Sequence, residues 1–154
     1  MITQEEKELS LKYLCMALPY GVIVDYKENE FELPHWKITT IHPETFDGWI
    51  GYDKRVGAGS ESGSRPFNIG DVKPYLRPMS SMTDEEKREI YDWLVENDVD
   101  WFDFSKLRLD EILISFDSSW LLVNWLLKHH FDFMGLITKG LANEVTKENN
   151  PYKE

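Results

Sequence analysis

The residues with the most obvious chemical potential lie in "KHHFD", where Lys128, His129, His130 and Asp132 bring nitrogen and oxygen donors together. Imidazole and carboxylate groups are common ligands of zinc and related metals. The spacing argues against that use. Adjacent residues on a helix point about 100° apart, and paired helical ligands normally sit four positions apart. The other histidines, His35 and His42, belong to a distant part of the chain. The segment reads instead as a helix end, where Lys and His complement the negative pole of the helix dipole. No metal and no cofactor is expected. Cys15 sits in an apolar run with no histidine near it in sequence, and a thiol without a base is inert. Ser80 and Ser81 precede a helix start, where serine serves local hydrogen bonding. Among 28 carboxylates some pair must fall close together by chance, so an acid/base dyad cannot be inferred. The glycines at 57, 59 and 63 do not fit the dinucleotide-binding spacing, and no Gly-Lys-Ser/Thr follows them. No catalytic residue is predicted.

Two constellations remain. In "DVKPYLRP" an extended chain places Lys73, Tyr75 and Arg77 on one side, opposite Val72, Pro74 and Leu76. The trio could hold an anionic group of a small ligand, or simply form the exposed side of an edge strand. In "TDEEKREIYDWLVE" the acids Glu85, Glu89, Asp92 and Glu96 recur at spacings of four, three and four, which makes one stripe along a helix. Ile90 and Leu94 lie opposite, so the stripe should face solvent. It is either a solubilising face or a docking surface for a basic partner.

The elements that must position these residues follow from caps, breakers and periodicity. Thr3 with Glu6, and Thr83 with Glu86, are capping boxes that predict helices from residue 4 to Pro19 and over 84–96. Alternation through Tyr20, Val22, Val24 and Tyr26 predicts a strand. A second strand is expected over 31–38 with a bulge or edge position at Pro34, a turn over 42–48, and a third strand over 49–52. Residues 57–70, with four glycines and three serines, predict a mobile loop. Two prolines keep 71–78 extended and predict an edge strand or strap. A short helix is expected near 106–115, and then a core helix from Asp117 or Ser118 to His130, apolar on nearly every face, with Trp120, Leu121, Trp125 and Leu126 buried. Phe131–Phe133 break it, Gly135–Leu141 form a further helical turn or two, and 144–154 fray. The fold expected is a single α+β domain over 1–154. It has an N-terminal helix and a small antiparallel sheet of three to four strands within 1–78, with C-terminal helices packed on the sheet from a helical part over 79–143.

Composition narrows the functional classes. The net charge of −11 is uneven: residues 84–117 hold 12 acids against 4 bases, whereas 118–154 balance. Direct nucleic-acid binding through phosphate neutralisation is therefore disfavoured, and a basic protein partner is favoured. A lone cysteine fits a reducing cytoplasm, the polar start lacks the features of a signal peptide, and no apolar run approaches a membrane span. The oligomeric state is open.

The blocks "VKPYLRPMSSMTDEEKREI" and "WLLKHHFDFMGLITKGLANEV", with Leu18–Gly21 near the start, resemble recurring segments of small uncharacterised proteins encoded by gut anaerobic bacteria, their prophages and mobile elements. The resemblance implies an accessory role in a mobile element and assigns no catalytic residue. The expectation is a cytoplasmic, non-enzymatic interaction protein, in its sharpest form an acidic inhibitor that docks on a nucleic-acid-binding protein. The rival expectation is a ligand-binding or enzymatic domain at Lys73, Tyr75 and Arg77.

Overall fold

The first helix, α1 (Gln4–Ala17), begins at the expected box: the Glu6 amide donates to Thr3 Oγ1 at 3.2 Å, and the Thr3 amide to Glu6 Oε2 at 2.7 Å. The structure is a computed structural model and describes residues 2–26, 36–56, 59–96 and 116–152. Pro19 ends α1 in a tight turn over Leu18–Tyr20, and Gly21, at φ 79°, makes the left-handed step into β1 (Ile23–Tyr26). Then come β2 (Trp36–His42), β3 (Asp47–Val56), β4 (Gly59–Asn68) and β5 (Val72–Leu76). Helix α2 (Asp84–Glu96), helix α3 (Phe116–Lys128) and the short β6 (Asn143–Glu144) complete the chain. The strands form one six-stranded sheet in the order β4-β3-β2-β1-β5-β6. Every pairing is antiparallel except β5 with β6.

The α+β class and the N-terminal helix stand as expected, but the sheet is larger than three to four strands and is mixed. Three segments account for the difference. The expected mobile loop over 57–70 is for the most part strand β4, which pairs with β3 in unbroken register from Val56↔Gly59 to Asp47↔Asn68. Serine and glycine are poor strand formers by side chain, yet an edge strand needs only its main chain to pair. Glycine also helps here: a Cβ on Gly63 would stand 2.7 Å from the Tyr52 ring, so the bare backbone makes room for an aromatic neighbour.

The second difference is β5, which lies between β1 and β6 rather than at an edge. Its proline is tolerated because β6 pairs only with Tyr75 and Leu76, so Pro74 faces Val24 on one side alone. The third is the expected frayed tail. Asn143 and Glu144 extend the sheet, the Val145 amide donates to Leu76 O at 2.8 Å, and the Tyr152 hydroxyl donates to Tyr75 O at 3.0 Å. One aromatic side chain anchors an otherwise polar segment.

The main core lies between α1 and the sheet, where Tyr13, Leu14 and Ala17 meet Val22, Val24, Trp36, Ile38, Ile50 and Phe67. A second cluster joins α2 to α3 through Ile90, Leu122, Trp125, Leu126 and Phe131. Trp125 and Leu126 are buried as expected, and the Trp120 and Leu121 side chains lie outside the described residues. The bulge expected at Pro34 and the helix near 106–115 fall outside them as well. The register irregularity that is described lies in β2, between Ile38 and Thr40.

Helix α3 closes at His130, whose φ of 62° is left-handed, with the Phe131 amide donating back to Leu126 O at 2.9 Å. The further helical turn expected over Gly135–Leu141 is a series of turns, pinned by the buried Asp132. Its carboxylate accepts from the Leu136 and Ile137 amides, each at 2.8 Å.

Candidate functional site

The stripe on α2 depends on how α2 is held. At its start the Glu86 amide donates to Thr83 Oγ1 at 3.1 Å, and the Thr83 amide donates to Glu86 Oε2 at 2.9 Å. The same carboxylate takes both arms of the Arg77 guanidinium, Nη1 to Oε1 at 2.7 Å and Nη2 to Oε2 at 2.9 Å. Arg77 in turn lies 4.2 Å over the Phe131 ring. Burial alone would raise the Glu86 carboxyl. The hydrogen bonds from Arg77 and the Thr83 amide, with the Arg77 charge, outweigh it and hold the group below its ordinary value. Ile90, fully buried against α3, fixes the helix one turn further on.

The consequence is an acidic face on a helix anchored at its start. Glu85, Glu89, Asp92 and Glu96 are all exposed, as the spacing predicted. On α2, Lys87 meets Asp84 at 3.9 Å outside the stripe, and the exposed Arg88 stands three positions after Glu85 and four before Asp92. Glu86 points the other way and is consumed by Arg77.

The trio Lys73, Tyr75 and Arg77 is not brought together into one site. Arg77 borders a small hollow of about 440 Å³ with Ser81, Val145 and Thr146, and its guanidinium is occupied by Glu86. Tyr75 is half-buried; burial, then the charge of Asp25, pushes its phenol up. Lys73 is exposed and lines a separate cleft of about 910 Å³. Sequence reasoning missed that cleft's other charged groups, among them Lys7 and Lys139. Lys7 and Ser10, three apart on α1, were the available sign that one helix face serves the cleft.

His129 and His130 are packing groups. His129 stacks on Trp125 at 4.0 Å between ring centres, and His130 stacks on Tyr152 at 3.6 Å. Burial lowers both, with His130 at about 4. They are therefore neutral near pH 7 and do not supply the dipole-complementing charge expected of them; Lys128 alone stands in the last turn of α3 as a cation. Among the described residues no group of three or more His, Cys, Asp or Glu is placed to hold a metal. Cys15 is only part-buried, and burial raises its thiol, which keeps it in the unreactive form. No helix of the described residues is long and apolar enough to cross a membrane. No family model, curated protein or solved structure matches this chain.

Proposed function

We propose that this protein is a cytoplasmic, non-enzymatic interaction protein of phage or mobile-element origin. Its α2 face docks on a basic protein that otherwise binds nucleic acid, with Glu85, Glu89, Asp92 and Glu96 standing where phosphates would. The observation that carries this reading is the division of labour on α2. One carboxylate, Glu86, is spent on anchoring, while four others face outward on the helix that this anchor fixes at its start. A merely solubilising surface has no need of that fixity. The rival anion site at Lys73, Tyr75 and Arg77 has less support, because Arg77 is committed to Glu86.

The test is reversal of all four stripe residues to lysine, read by thermal melt and by capture of basic proteins from native lysate. The variant is expected to stay folded and lose a partner that the wild type retains. That partner should be released by added duplex DNA and by raising salt, because exposed charges are screened beyond about 10 Å at 0.1 M. Capture unchanged in a folded variant would leave the face as solvated surface only.

A further inference from the structure

The cleft of about 910 Å³ lies away from the α2 face, at the upper end of the range usual for small-molecule sites. Four parts of the fold build it. Helix α1 contributes Glu6, Lys7 and Ser10, β1 contributes Asp25, the turn and strand at 69–76 contribute Asp71 and Lys73, and the turns before β6 contribute Lys139. In the β1–β5 register Asp25 stands directly opposite Lys73. Yet among the described residues Lys7, Lys73 and Lys139 form no ion pair, and the Asp25 carboxylate accepts only from the Asn143 amide, at a long 3.4 Å. Three ammonium groups and three carboxylates, those of Glu6, Asp25 and Asp71, thus border one concavity with no close ion pair among them; the Glu6 carboxyl, held low by its hydrogen bonds from Thr3, is lowered further by the charge of Lys139.

Ser10 adds a hydroxyl to the lining. It is 4% exposed, it lines the cleft, and among the described residues its hydroxyl makes no hydrogen bond. The hydroxyl opens onto the cleft, since the enclosed side-chain polar atoms without a partner among the described residues are Trp36 Nε1 and Trp125 Nε1.

We infer that this cleft binds a short peptide with free termini. A purely anionic ligand would be drawn to the lysines but repelled by Asp25 and Asp71, and a purely cationic one would meet three lysines. A zwitterion satisfies both sets. Its carboxylate takes the lysines and the Ser10 hydroxyl, and its ammonium takes the aspartates. The volume exceeds what a single amino acid fills, and Ile2, Val72 and Leu141 offer apolar surface to small side chains.

The experiment is an NMR titration of the full chain with trialanine, with N-acetyl-trialanine, trialanine amide and citrate in parallel. Trialanine is expected to shift the Ser10, Lys73 and Lys139 amides saturably, and blocking either terminus should weaken binding about tenfold, the loss of one charge-assisted contact. Lys73→Ala combined with Lys139→Ala should weaken it by a similar factor or more at an unchanged melting temperature, since both side chains are exposed. Absence of a saturable shift up to about 10 mM, the weak limit of specific binding, would overturn the inference. So would citrate binding more tightly than trialanine, or blocked peptides binding as well as the free one. The α2 lysine variant should bind trialanine like the wild type, so this site and the acidic face stand or fall separately.

Discussion

Arg77 and Lys73 leave the same stretch of chain on the same parity, and they meet opposite ends. At one end of β5 the arginine folds inward, clamped by Glu86 and laid on Phe131. At the other end the lysine stays in solvent at the lip of a cleft. Strand alternation treats the two alike, and what separates them is the element that arrives next. The Arg77 end is covered by α2 and α3, whereas the Lys73 end opens onto the cleft that α1 and the turns before β6 border. A basic side chain is available to a partner only where the following element supplies no carboxylate of its own.

If the Arg77 end is truly a packed corner, its core should be costly to disturb. Leu126→Ala removes a side chain with no exposed surface and should destabilise by roughly 2–5 kcal/mol in a denaturant melt. A loss below about 0.5 kcal/mol, the range of ordinary surface changes, would mean the corner is not core at all.

The clamp itself is worth less. Glu86→Gln keeps the shape but removes the charge, and a loss of about 1–2 kcal/mol is expected for hydrogen bonds to a charged group that remains partly hydrated. The pH dependence sharpens this. Because the folded-state carboxyl lies below its unfolded value of 4.5, its contribution is present above that pH and is lost as pH falls through the folded value. The variant should therefore lose less stability than the wild type as pH falls below 4.5. Equal acid sensitivity in both proteins would separate Glu86 from the effect.

The smallest change belongs to the open end. Lys73→Met should shift stability by no more than about 0.5 kcal/mol, as exposed substitutions usually do. A larger loss would show that Lys73 is bound into the structure as Arg77 is, and would erase the contrast.

The helices were legible because each announces itself locally. Thr3 with Glu6 and Thr83 with Glu86 are short-range, self-contained bonding patterns, and the four-three-four acid spacing translates directly into one exposed face. The strands were legible only where side chains alternate, as in Val22–Tyr26. β4 escaped because pairing uses the main chain, which Gly-Ser composition conceals, and β6 because two residues carry no periodicity. The cleft was illegible for a related reason. Lys7, Lys73 and Lys139 are far apart in sequence and meet only through the sheet, so no local pattern could single them out. The pairing of Arg77 with Glu86, nine positions apart, lay nearer to hand, but it needed the turn at Met79–Ser81 to bring strand and helix face to face.

The Tyr152 anchor has a consequence in time rather than in energy. Its hydroxyl reaches back across 129 residues to the Ile23 amide and across 77 to the Tyr75 carbonyl, while Tyr13 bonds Phe131 across 118. Each such closure must be made before its contacts give anything back, and chains dominated by distant pairings fold in roughly milliseconds to seconds rather than microseconds. Helix α1 and the β3–β4 hairpin can form early from neighbours in sequence. The β5–β6 seam and the Tyr152 anchor close only when residues 143–152 reach strands laid down long before them.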